Sequence, residues 1–195
     1  MNYVEVCDTI LERLSDVDIM AILPIGSNTW GCENAHDADY AVVLKEPKYT
    51  SIERRWISSL SADIFIHSDI SKDLKALFLR AYVKASQGDG IIYGELPRME
   101  WTDVRKRVLK ASYASCLAEI NKLLSYPEAY PVPSKCSYYI WLNYYTEING
   151  NFDLTDEQRA QVQRIHDKQG TLQDLLDIKN KYEKLFEVET DLLSV

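Results

Sequence analysis

Gly26-Ser27 directly follows the apolar run Ile19–Ile25, and after nine intervening residues comes Asp37-Ala38-Asp39. A third acid, Asp63, opens a further apolar run, Ile64-Phe65-Ile66. Residues i and i+2 of a strand point to one face, so Asp37 and Asp39 project side by side. Neighbouring carboxylates repel each other, and a hard cation is a natural reason to keep them together. Glycine lets the backbone turn sharply and lets a ligand approach its N–H groups. Ser27 adds a hydroxyl, and a helix starting here would turn its positive end toward phosphate. Each motif also has a plain reading: a turn, a solvated acid pair, a strand-entry acid on the solvent side.

The elements that must position these residues are legible as hydrophobic patterns. Val4, Cys7, Ile10, Leu11 and Leu14 recur at helical spacing. Ile19–Ile25 reads as a buried strand in which Pro24 must sit at an edge or an end. Asp39–Leu44 is a second strand and Ala62–His67 a third, with a short helix expected between them around Ser51–Leu60. Leu74, Leu77, Phe78, Ala81 and Tyr82 share one helix face, which Gly88 stops, and Gly90–Gly94 encloses a short β run. From about Thr102 the strand signal disappears. Helices are expected over 102–124, 134–148, 155–169 and 172–193, the third opened by the capping box Thr155-Asp156-Glu157-Gln158. The fold class is therefore α/β (α+β), a small mixed sheet flanked by helices in residues 1–97, followed by an all-α bundle in residues 98–195.

The combination is more specific than its parts. A strand, Gly26-Ser27, Asp37-Ala38-Asp39 entering a strand, and Asp63 entering another resemble the signature of the DNA polymerase β-like nucleotidyltransferase superfamily. Gly31 fits the Gly-Ser-x-x-x-Gly form of its small bacterial members, and Ile91-Ile92-Tyr93-Gly94 is similar to the β segment that closes their core. The resemblance spans roughly residues 15–95. In outline the helical half is similar to that of the minimal and aminoglycoside nucleotidyltransferases, and Lys135, opening a helix, looks like the lysine they offer to the triphosphate. The resemblance implies Mg²⁺, two ions with an NTP bound, held by Asp37, Asp39 and Asp63. It implies Gly26, Ser27, Gly31 and Lys135 against the nucleotide, and Asp63 as metal ligand, general base or both. The reaction implied is transfer of an NMP from an NTP to a hydroxyl, with pyrophosphate released. Glu95, Glu119 and Glu147 are further candidate bases.

The sequence departs from that pattern in places. His36 stands before the first acid, Trp30 sits inside the turn as a packing residue, and Asn28–Glu33 has no basic residue. Phosphate charge would then fall to Lys135 or to residues 98–135, which carry seven basic against four acidic side chains. The first 97 residues carry nine against fifteen. In the tyrosine-rich segment, Tyr138, Trp141 and Tyr145 recur at helical spacing; core packing is the expectation, a stacking platform the alternative.

Composition bounds the partners. The chain has 195 residues and a net charge of −8, with 46% hydrophobic and 27% charged residues, the balance of a folded globular chain. An acidic total disfavours a broad nucleic-acid surface, so RNA is not the favoured partner. No apolar run reaches the roughly 18 residues of a membrane span, and Met1–Glu5 lacks a signal-peptide pattern, so a cytoplasmic protein is expected. Cys7, Cys32, Cys116 and Cys136 show no metal spacing and read as reduced thiols. The expected acceptor is a small molecule, as in the antibiotic-modifying relatives. The alternatives are a toxin-type enzyme acting on tRNA or protein, and a non-catalytic nucleotide-binding module.

Overall fold

The computed structural model describes residues 3–32, 38–46, 52–67 and 79–188. Expectations placed on Asp37, on Leu74, Leu77 and Phe78, and on the end of the last helix lie outside the described residues. The chain divides into two compact units, Met1–Glu100 and Trp101–Val195; the sequence pattern had put the change of character after Pro97. Among the described residues no helix is long and apolar enough to cross a membrane.

The first unit is built on a mixed five-stranded sheet. Its strands are β1 (Ile19–Ile25), β2 (Ala38–Leu44), β3 (Glu53–Ile57), β4 (Ala62–His67) and β5 (Tyr93–Gly94), in the order β3-β4-β2-β1-β5. β2 and β4 run parallel and the other pairs antiparallel. The continuous apolar runs become β1, β2 and β4, the three inner strands, because only an inner strand buries side chains on both faces. Pro24 pairs with Tyr40 near the end of β1, while β5 reaches only Ala21 and Ile22. A proline without an N–H to donate is tolerated at such a position.

Helix α1 (Tyr3–Arg13) lays Val6 and Ile10 on one sheet face, against Tyr40, Val42, Leu44, Ile64 and Ile66. The other face carries Asp39, Ala41 and Val43 beside Asp63, Phe65 and His67. Helix α2 (Leu79–Ser86) brings Tyr82 edge-on to His67, with ring centroids 5.5 Å apart.

Residues 53–60 correct the sequence expectation. They form the edge strand β3 and a short 3-10 turn, Ser58–Leu60, rather than a helix. Glu53-Arg54-Arg55-Trp56 has too few apolar residues to show a period-2 pattern. Its conformation comes from pairing along β4, Ile57 opposite Ala62 through Glu53 opposite Ile66.

The second unit is helical: α3 (Trp101–Ser125), α4 (Tyr138–Asn149), α5 (Asp156–His166) and α6 (Leu172–Val188). Residues 135–137 form a 3-10 turn before α4, where a continuous helix from Ser134 was expected. Tyr182, fully buried, donates to the Ile140 carbonyl at 2.7 Å and ties α6 to α4. Tyr138 and Trp141 are also buried, the packing role expected of them. Cys7 and Cys116 are buried free thiols, and burial pushes the Cys116 thiol up to about 12. The capping box at Thr155 and Gln158 is present.

A second reciprocal cap opens α6. Asp174 accepts from the Thr171 N–H at 2.7 Å, and Thr171 Oγ1 accepts from the Asp174 N–H at 3.2 Å. Arg164 and Gln161 of α5 bond the same carboxylate. Burial opposes ionisation of Asp174, but these bonds from Arg164, Thr171 and Gln161 outweigh it and lower its pKa to about 2. A carboxylate held below its unfolded value stabilises the fold above pH 4, and that contribution fades as pH falls toward 2. Its size is roughly 2 kcal/mol. Asp174→Asn should therefore lose about 2–3 kcal/mol at neutral pH in urea unfolding. Between pH 4 and 2 the variant should lose less stability than the parent. Equal slopes in that window would remove the network from this role.

Candidate functional site

β1, β2 and β4 are neighbours, and their register sets the site. Ile25, the last residue of β1, pairs with Asp39, Asp39 pairs with Asp63, and Asp63 pairs with Trp56 of β3. Residues directly opposite on adjacent strands share a face, with Cβ atoms about 4.5–5.5 Å apart. Because β2 and β4 are parallel, both acids stand at strand entries on the same sheet end. Asp39 is half-buried and Asp63 is 6% exposed.

Gly26 continues directly from this row. It adopts φ +74, where a side chain is strained, and a Cβ on it would overlap Asp39 Oδ2 while lying 3.2 Å from the Asp39 Cβ and Cγ. The glycine is thus what allows the turn to close over the carboxylate. Residues Gly26–Trp30 then form one 3-10 segment, terminated by Gly31 at φ 77. Thr29 Oγ1 donates to the Gly26 carbonyl at 2.8 Å, and the Cys32 N–H to the Ser27 carbonyl at 3.3 Å. Five residues of 3-10 helix do not build the dipole of a long helix, so any phosphate held here would meet the backbone of a turn. Ser27 is buried, so its hydroxyl is covered; Gly31 is exposed. Trp30 is buried, as its packing role requires.

Arg54 is the residue that sequence reasoning missed. Its Nε and Nη2 donate to the two Asp63 oxygens at 2.9 and 2.5 Å, and the guanidinium carbon lies 5.8 Å from the Phe65 ring centre. A bidentate guanidinium occupies the carboxylate plane. For Asp63 to ligate a cation or accept a proton, that fork must open. The Arg54 side chain is 66% exposed and has room to move. No local pattern in this run of charges marks it; its partner Asp63 is set by the pairing of β3 with β4.

The donor set suits Mg²⁺: Asp39 and Asp63 supply anionic oxygens of the hard type it requires, and a Cβ at Gly26 would fill the space against Asp39 Oδ2. Among the described residues no group of three His, Cys, Asp or Glu side chains comes together; Asp37 lies outside them.

The second unit holds the remaining candidates. Lys135 is half-buried in the 3-10 turn, next to Ser134, whose N–H donates to Glu119 at 2.9 Å. Glu119 also lies 3.6 Å from Lys122, and Glu147 accepts from Trp101 Nε1 at 2.7 Å and pairs with Arg105. Both acids are thus occupied with structure and are poor candidates for a catalytic base. Arg98 pairs with Glu100 and Lys122 lies 4.1 Å from the Tyr130 ring centre, so the basic excess of residues 98–135 is partly spent locally. Glu95 is exposed just after β5.

No protein-family model matches the chain, no curated protein matches it, and no solved structure matches it.

Proposed function

We propose that the protein is a Mg²⁺-dependent nucleotidyltransferase on a polymerase β-like core, moving an NMP from an NTP to a hydroxyl of a small-molecule acceptor. The observation that carries this reading is the row Ile25, Asp39, Asp63 across three adjacent strands, with Gly26 directly after Ile25 and packed on Asp39. It puts a phosphate-type turn and two carboxylates at one sheet end, on residues that the sequence pattern selects independently.

In this reading Asp39 and Asp63, with Asp37, hold the cation, and the Gly26–Gly31 turn lies against the β and γ phosphates through its backbone. Bound Mg²⁺ supplies electrophilic stabilisation of charge on the transferring phosphoryl oxygens. Asp63, released from Arg54, ligates the cation, takes the acceptor's proton, or does both. The acceptor oxygen forms a bond to the α-phosphorus as the bond to the β-phosphate bridging oxygen breaks, and pyrophosphate leaves with that electron pair.

Thermal unfolding with each NTP, with and without Mg²⁺, is the direct test. A ligand at 100 times its Kd adds about 2.7 kcal/mol, so a Mg²⁺-dependent rise in Tm is expected with at least one NTP. No rise with any of them would defeat the reading. α-Labelled NTPs incubated with cell extract then assign the acceptor by the fraction that takes up label.

A further inference from the structure

We propose that Trp56 is the platform on which the acceptor stacks a planar aromatic ring. The inference rests on the nucleotidyltransferase reading for the word acceptor, and on register for everything else. Trp56 is 56% exposed, whereas Trp30 and Trp141 are each 4% exposed. A single exposed apolar side chain is ordinary on a protein surface. What sets this one apart is its place: it lies directly opposite Asp63, on the same face, and Asp63 lies directly opposite Asp39.

The order along the row assigns the ring to the acceptor rather than to the nucleotide. Gly26 stands at one end, then Asp39, Asp63 and Trp56, and strands are spaced about 4.8 Å apart. Trp56 is therefore about 14 Å, three strand spacings, from the turn that would hold the triphosphate. Its immediate neighbour is the acid assigned to the acceptor hydroxyl. A ring lying flat on the indole would bring a substituent hydroxyl beside that carboxylate. Arg54, two residues earlier and on the same face, already lies against the Phe65 ring. The edge of β3 thus offers an indole face flanked by a guanidinium, a combination that suits flat π-systems. A nucleobase and a phenol ring share that chemistry.

Saturation-transfer NMR on the full chain separates the two sources, using adenosine, N-acetyltyrosinamide and methyl glucoside as the non-aromatic control. The variants are Trp56→Thr, which keeps a good strand former at an exposed edge position, and Trp56→Phe. Transfer to adenosine, to the tyrosinamide or to both is expected in the parent and in Trp56→Phe. It should weaken at least about fivefold in Trp56→Thr, the low end for stacking on an aromatic side chain. Adenosine signal that is lost in Trp56→Thr marks a nucleobase acceptor, and tyrosinamide signal lost there a phenolic one. No transfer to either ring in the parent, or equal transfer in Trp56→Thr, overturns the proposal. Neither result depends on NTP or Mg²⁺, so it is distinct from failure of the thermal-shift test.

Discussion

Asp39→Asn is expected to abolish Mg²⁺-dependent NTP binding and to lower nucleotidyl transfer on the order of 10³-fold, the scale of losing a principal electrostatic stabiliser. Asparagine is nearly isosteric, so the pairing of Ile25 with Asp39 and of Asp39 with Asp63 should survive. What disappears is an anionic oxygen, which a hard cation needs and an amide replaces poorly. The comparison is Asp18→Asn in the same unit, an exposed acid 2.9 Å from Lys45. That change removes the same charge from the molecule and should leave NTP binding and transfer intact. If Asp39→Asn keeps its Mg²⁺-dependent Tm shift, the metal assignment fails. If both variants lose it, the effect is one of net charge. Asp63→Asn is a less clean probe, because it also dissolves the fork from Arg54.

Gly26→Ala should cost about 2–4 kcal/mol in stability and displace the Asp39 carboxylate. Two causes add. At φ +74 an L-residue is strained, and the new methyl would overlap Asp39 Oδ2. Gly88→Ala separates them: Gly88 has φ +89 but nothing within 4 Å of its missing Cβ. That variant should lose only the backbone cost, about 1 kcal/mol. The excess in Gly26→Ala measures the contact with Asp39, read in urea unfolding. NTP binding should fall with it in Gly26→Ala and stay unchanged in Gly88→Ala. Equal losses in the two variants would mean that the turn does not press on the carboxylate.

Different parts of this molecule were legible for different reasons. The strands Ile19–Ile25, Ala38–Leu44 and Ala62–His67 were readable because inner strands are apolar on both faces, and such runs need no partner to be recognised. The helices of the second unit were readable from their period, and Thr155 with Gln158 from capping chemistry that is local by nature. β3 was not. Its residues are mostly charged, its strand identity is conferred by β4, and a helix was the natural reading. With β3 misread, Arg54 could not be seen beside Asp63, nor Trp56 opposite it. Glu119 and Glu147 looked available in the sequence because their partners, the Ser134 N–H, Trp101 and Arg105, lie 15 to 46 residues away.

The resemblance to a nucleotidyltransferase signature singled out Gly26, Ser27, Asp39 and Asp63 as the residues to follow, while composition and period alone placed an α/β half before an all-helical one and picked out the inner strands. Each of those properties is written within a dozen residues. Long-range pairing settled the rest: β4 lies parallel to β2 with Asp39 opposite Asp63, Gly26 closes over Asp39, and Arg54 holds Asp63. Strand order and register are fixed by pairing and burial between distant segments. Moving the register by one residue would turn either acid to the opposite face, and no local pattern distinguishes the two arrangements.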